Sequence, residues 1–174
     1  AQFIYTYDHP VMLRHFMQLY HVTRPDLKYK PFSPAIPAEL KMERDATPSA
    51  FFDAINRPDI LVHHPYDSFD PVVDFLHYAS IDPDVLAIKQ TLYRVGRNSP
   101  VVRALLRARR DYGKQVAVLV ELQARFDEES NIEWAKLLEQ EGVHVTYGLM
   151  GLKTHSKVTL VVRKEGEHIR RDCH

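Results

Sequence analysis

The stretch Gln115-Val116-Ala117-Val118-Leu119-Val120-Glu121-Leu122 is almost continuously apolar. A short run of this kind reads as a strand covered on both faces, inside a sheet layered with helices. Further apolar runs of strand type fall at 59–63, 85–93, 143–147 and 157–163. After the last of these, Lys164-Glu165-Gly166-Glu167 and a run from His168 read as a hairpin whose second strand is truncated. Between the runs, Thr47-Pro48, Asp70-Pro71 and Ser99-Pro100 each set a capping side chain before a proline. The cap oxygen accepts orphan amide protons and the proline needs no partner, so helices are expected over 48–56, 71–80 and 100–112. A fourth is expected over 131–141, after Ser130 and before Gly142. Strand and helix alternate at spacings that suit right-handed crossovers. The expected fold is α/β, a mostly parallel sheet with helices on both faces.

The first 46 residues stand outside that pattern. Residues 3–7 are strand-like, residues 10–20 fit a short amphipathic helix, and Pro25, Pro31, Pro34 and Pro37 mark an extended connector. We therefore expect the end of a neighbouring α+β domain and its connector over 1–46, and an α/β domain over 47–174. The chain opens Ala1-Gln2-Phe3 and closes Asp172-Cys173-His174, with no initiator methionine and no signal-peptide core. An internal fragment is the expectation.

Composition excludes several classes. No apolar run approaches the roughly 20 residues that cross a bilayer. The single cysteine, Cys173, excludes an internal disulfide framework and fits a reducing compartment. With 23 basic and 23 acidic residues, the zero net charge gives no bulk support for nucleic-acid binding. That neutrality is a cancellation. Residues 85–125 hold nine basic and two acidic residues, whereas 126–142 hold six acidic and one basic. Arg103, Arg107 and Arg110 share one side of the third helix and read as a solvated face. Arg94 and Arg125 differ, because each directly follows a strand at its carboxyl end, where open α/β sheets bind ligands. Two guanidiniums there suit bidentate contact with phosphate oxygens.

The sharpest local feature is Gly151-Leu152-Lys153-Thr154-His155-Ser156-Lys157, entering the last full strand. His155 and Lys157 are two apart, so in a strand their side chains leave the same face. An imidazole can attack phosphorus while a neighbouring ammonium neutralises phosphoryl oxygens. The spacing alone also fits a strand-end histidine beside a solvated lysine. The segment His63-His64-Pro65-Tyr66-Asp67-Ser68-Phe69 can hold polar groups over the crevice, but lacks the ligand spacing of a metal site. His15, His21, His77, His144 and His168 read as satisfied structural histidines, and Trp134 and the tyrosines mostly as packing. There is no P-loop and no dinucleotide-binding glycine fingerprint. Asp172, an acid near the end of a strand, has no evident purpose.

Five segments occur in order: Arg24-Pro25-Asp26-Leu27-Lys28, residues 60–69, Ile88-Lys89-Gln90-Thr91-Leu92-Tyr93-Arg94, residues 120–129, and Gly151 to Lys157. Together they closely resemble the large bacterial polyphosphate kinases, whose catalytic domains belong to the phospholipase D-like superfamily. The resemblance implies reversible transfer of the terminal phosphate of ATP onto inorganic polyphosphate, with Mg2+, through a phosphohistidine. His155 matches the family's phosphorylated histidine and Lys157 its companion lysine. Arg94 and Arg125 match two arginines of the phosphate and magnesium site, where guanidinium is read as holding phosphate oxygens that the metal also touches. The resemblance further implies a homo-oligomer in the cytoplasm, with peripheral membrane association left open. The family's second catalytic histidine and N-terminal nucleotide-binding region have no match here, so the fragment is expected to be inactive alone. Two rivals stand beside this. A phospholipase D-like phosphodiesterase or nuclease would extend H-x-K to an aspartate four residues on, where this chain has Val161. A non-catalytic polyanion-binding module would explain the basic segment but not the placement of His155.

Overall fold

The computed structural model describes residues 6, 8, 12–43, 45–96, 98–124 and 128–174, and divides into two compact units, Ala1–Ser33 and Pro34–His174. In the first unit, 3-10 turns run over Leu13–His21 and Pro25–Leu27 without a buried side chain. Arg24 holds Asp26 through hydrogen bonds of 2.8 and 2.6 Å, and Lys28 Nζ stands 5.2 Å from the Tyr20 ring centre. The helix expected over 10–20 is thus 3-10 wound where it is described. Its apolar side is not buried, so tertiary packing does not favour the α form. The strand expected over 3–7 lies largely outside the described residues.

The second unit contains helices α1 (Pro48–Ile55) and α2 (Asp70–Ile81), then strand β1 (Val85–Leu92). Helix α3 (Pro100–Arg110), strand β2 (Gln115–Val120), helix α4 (Glu128–Gln140) and strand β3 (His144–Tyr147) follow. A hairpin of β4 (Thr159–Glu165) and β5 (His168–Cys173) completes it. Two of the expected caps are in place: Thr47 Oγ1 accepts from Ala50 N at 3.2 Å, and Ser99 Oγ from Val102 N at 3.3 Å. At α2 the oxygen comes from Ser68, which accepts from Asp70 N at 3.0 Å, so Asp70 sits inside the first turn. Helix α4 begins at Glu128, ahead of Ser130, with Glu128 and Glu129 in its first turn. Carboxylates at that end suit the helix dipole.

The sheet order is β3-β2-β1-β4-β5. The β1–β2 and β2–β3 pairs are parallel, and β1–β4 and β4–β5 are antiparallel. The sheet is therefore mixed, not mostly parallel. No helix lies between β3 and β4, and the chain returns along β1 in the opposite sense.

Register places Ile88, Val116 and Val161 on one face, and all are buried. Each helix delivers a fully buried residue to that core: Phe52, Leu76, Leu105 and Leu138. The opposite face carries Ala117, Leu119, Leu160 and Val162, all half-exposed, and no helix of this unit. Helices on both faces are thus not found. From β1 to β2 to β3 the chain steps in one direction across the sheet, and right-handed crossovers that step one way leave their helices on one side.

Residues 59–63 form no strand. The segment is extended but unpaired, with Leu61 93% exposed, while Ile60 and Val62 line a cavity of about 330 Å³ beside Phe75. Asp172 lines the same cavity, and burial pushes its carboxyl up despite an Arg170 Nε donor at 3.3 Å. No helix of the described residues is long and apolar enough to cross a membrane.

At the amino end of β1, Asp82 is 2% exposed. Its Oδ1 accepts from Asp84 N at 2.8 Å and its Oδ2 from Arg163 Nε at 2.9 Å, while its carbonyl accepts from Lys114 Nζ. Arg163 is itself buried, 5.1 Å over the Phe52 ring. Removing one member of a buried pair strands the other, at about 3–5 kcal/mol. Asp82→Ala is expected to lower stability by about that much in urea unfolding. A loss under about 1 kcal/mol, the range of exposed pairs, would show that Arg163 is held well enough by Asp84, 3.7 Å from its Nη2, or by water.

Candidate functional site

The reversal of β4 decides which residues meet. In a parallel arrangement the amino end of β4 would lie at the far end of the sheet from the carboxyl end of β1. Because the pairing is antiparallel, residues just before β4 arrive beside those just after β1. Thr91 fastens the two segments together. Its N–H donates to Val158 O at 2.9 Å, its hydroxyl donates to Ser156 O at 2.9 Å, and the same hydroxyl accepts from Val158 N at 2.7 Å. His155 and Lys157 therefore lie in an irregular segment laced to β1, before the strand that was expected to hold them.

Tyr93, next along from β1, is where the side chains gather. The His155 ring packs edge-on against it at 5.1 Å between centroids. Lys157 Nζ stands 4.0 Å from the Tyr93 ring centre and Arg94 Cζ 5.7 Å. Lys157 also donates to the His155 carbonyl. His155, Lys157 and Arg94 are all solvent-exposed. The structure thus brings three of the four sequence-predicted residues to one ring. Arg125, the fourth, lies outside the described residues. Three α3 arginines are engaged elsewhere: Arg103 with Asn98 O at 3.0 Å, Arg107 with Tyr112 Oη at 3.2 Å and with His77 Nδ1 on α2 at 3.3 Å, and Arg110 with Asp111 at 2.9 Å.

Beneath this cluster are two buried polar residues that received no role from the sequence. Glu121, 4% exposed, directly follows β2. Its Oε1 accepts from Gln123 N at 2.8 Å and its Oε2 from Thr154 N at 2.7 Å. These two backbone donors hold its carboxyl below the usual glutamate range. Asn131, fully buried on α4, donates through Nδ2 to Tyr93 O at 2.7 Å and to Glu121 O at 2.8 Å. No local signal marked either: Glu121 stands at the end of the apolar β2 run, and Asn131 lies on a helix rich in polar residues.

His174 was also missed. It lines a cavity of about 360 Å³ with Arg94, Lys157, Thr91 and Phe69. Hairpin pairing puts it there: Glu165 faces His168, so counting outward sets Thr159 opposite His174, and their backbones bond at 2.7 and 2.9 Å. Burial and the charge of nearby His64 hold its imidazole below the usual histidine range. The unfolded chain, with histidine near 6.5, then binds the extra proton between the two values. Stability is expected to rise as pH climbs through the window just below 6.5. His174→Gln is expected to flatten that rise in unfolding midpoints measured between pH 5 and 7. An unchanged slope would place its titration outside the window.

Chemically, the cluster offers an exposed imidazole with two cations in reach, which suits an anion whose charge sits on several oxygens. It offers a metal little. Among the described residues no three His, Cys, Asp or Glu side chains are placed to hold an ion, and guanidinium is no ligand.

Comparison with known proteins shows the family. Residues 50–174 match the family described as Polyphosphate kinase C-terminal domain 1. Polyphosphate kinase 1 of Chlorobaculum tepidum is 54% identical over 171 residues, 98% of this chain and 24% of that protein. The polyphosphate kinase of Mycolicibacterium gilvum is 58% identical over 158 residues, covering 90% of this chain and 21% of that protein. The crystal structure of polyphosphate kinase from Porphyromonas gingivalis superposes with a TM-score of 0.65 at 37% identity, over 83% of this chain and 23% of that one. This chain spans less than a quarter of the length of these relatives. With a family match over most of its length and a superposable fold, the chain belongs to the polyphosphate kinase family.

Proposed function

We propose that this chain bears the nucleophile of an enzyme that reversibly moves the terminal phosphate of ATP onto inorganic polyphosphate. The observation that carries it is the convergence of His155, Lys157 and Arg94 on Tyr93, in a chain of this family. In the forward half-reaction an unprotonated imidazole nitrogen of His155 attacks the γ-phosphorus. The bond from that phosphorus to the bridging oxygen breaks, and ADP leaves with the electron pair. In the second half the terminal oxygen of a polyphosphate attacks, the P–N bond breaks and the imidazole is regenerated. Lys157 and Arg94 hold the non-bridging oxygens through both steps, since phosphoryl transfer needs positioning and positive charge more than covalent machinery. Arg125 is assigned the same work on the phosphate oxygens, on the family resemblance of its segment.

Magnesium enters with the nucleotide phosphates. The described side chains do not cage it, and no step is assigned to it. In this reading residues 47–174 are the nucleophile-bearing, phospholipase D-like part, and 1–46 bring the end of a neighbouring domain and its connector. The complete enzyme works in the cytoplasm as a homo-oligomer, and residues 1–174 alone lack the rest of the site. Val161, buried in β4 opposite Ile88, stands where the phosphodiesterase pattern needs an aspartate, which disfavours that chemistry.

Full-length enzyme incubated with γ-labelled ATP is expected to hold acid-labile label that His155→Ala abolishes. Lys157→Ala is expected to slow labelling about a hundredfold, the scale for losing one group that stabilises developing charge. Label that survives His155→Ala would overturn the assignment. Polymer made by residues 1–174 alone would overturn the claim that their site is partial.

A further inference from the structure

We propose that Glu121 is a positioning residue for the nucleophile, a carboxylate latch that fixes the His155 segment to the carboxyl end of β2. This rests on the phosphohistidine reading above. His155 sits on an irregular stretch between β3 and β4, and such a stretch holds one geometry only where something ties it. Two ties flank the nucleophile directly, besides the exposed Lys153 Nζ, which donates to Gln123 O at 3.2 Å. One is Thr91, which grips the segment from its carboxyl side at Ser156 and Val158. The other is Glu121, which grips it from the amino side through Thr154 N, the residue immediately before the nucleophile.

The latch reaches further than one contact. The same carboxylate closes the turn after β2 through Gln123 N. Its backbone carbonyl accepts from Asn131 Nδ2, which also donates to the carbonyl of Tyr93, the residue whose ring His155 packs against. One residue thus sets the His155 segment, the Tyr93 platform and the turn leading to Arg125 in a common frame. Gly148 shows how closely the loop is drawn in. A methyl group there would meet Thr154 Oγ1 at 3.2 Å and Glu121 Oε2 at 3.7 Å.

The chemistry requires a carboxylate. Each oxygen faces a backbone N–H, so both positions must be acceptors. Glutamine has nearly the same shape but presents one acceptor and one donor, and its amide would face an N–H donor-to-donor. Burial leaves that clash without water to relieve it.

The test uses full-length enzyme and the first-turnover rate of acid-labile labelling from γ-labelled ATP. In Glu121→Gln, labelling and kcat are expected to fall about a hundredfold, the cost of misplacing a reacting group by about 1 Å. The KM for ATP is expected to hold within about threefold, because the latch touches the nucleophile and not the nucleotide. Gly148→Ala disturbs the same contact from the loop side without changing charge, and is expected to slow labelling severalfold. It also covers the case in which Glu121→Gln fails to fold. Two wild-type labelling rates would overturn the inference while leaving the phosphohistidine intact. A raised KM with unchanged kcat would overturn it too, by assigning Glu121 to nucleotide binding. A wild-type enzyme that takes no label on His155 would overturn the phosphohistidine reading and the latch together.

Discussion

The antiparallel pairing of β4 with β1 is the constraint on which the site depends. The described candidate residues lie next to strand ends, and strand direction decides which ends are neighbours. Tyr93 and Arg94 leave the carboxyl end of β1, and His155 and Lys157 approach the amino end of β4. In a wholly parallel sheet of this length the two pairs would be separated by the strand itself, about 3.3 Å per residue. The reversal closes that gap, and the Thr91 hydroxyl then fixes the remaining distance by bonding to both sides of the incoming segment. The β4–β5 hairpin is part of the same economy, because it carries His174 back to the cavity that Arg94 and Lys157 line.

Much of the fold was legible because it is written in local chemistry. Thr47 and Ser99 cap the helices their prolines announce, and the β2 run is a central strand flanked by β1 and β3. What failed was non-local. A period-two apolar run says that a segment wants a partner strand, but not that one exists, and residues 59–63 found none. Alternation of strand and helix says that crossovers are right-handed, but not in which direction successive ones step. Here they step one way and leave one face of this unit without helices. In both cases the deciding quantity is strand order, which periodicity does not encode.

The site divided along the same line. His155, Lys157 and Arg94 were visible because each sits at a strand end inside a distinctive local pattern. Glu121, Asn131 and Tyr93 were not, because their partners lie 33, 10 and 62 residues away along the chain, and nothing nearby marks them. The basic segment was a weaker guide than its charge suggested. Lys114 serves the Asp82 cluster at the opposite end of β1, while Arg103 and Arg110 bond at the ends of α3 and Arg107 reaches Tyr112 and His77 on α2. Among the described members of that excess, Arg94 is the one that stands at the Tyr93 ring.

The way Lys157 is held follows from the task proposed for it. Its ammonium has two partners, the Tyr93 ring at 4.0 Å and the His155 carbonyl. At an exposed position a cation over an aromatic face is worth about 0.5–1 kcal/mol. A charge-assisted bond to a phosphate oxygen is roughly twice as strong as a neutral one. An incoming phosphate can therefore draw the ammonium off the ring at small cost, while the ring keeps it poised when no phosphate is present. A buried salt bridge to a carboxylate would have held Lys157 too firmly for that exchange. Glu121, the buried carboxylate beneath the cluster, instead spends both oxygens on backbone amides. Negative charge is thus present under the site but engaged by backbone amides, and the Lys157 ammonium rests on the Tyr93 ring and the His155 carbonyl, from which a substrate oxygen can draw it.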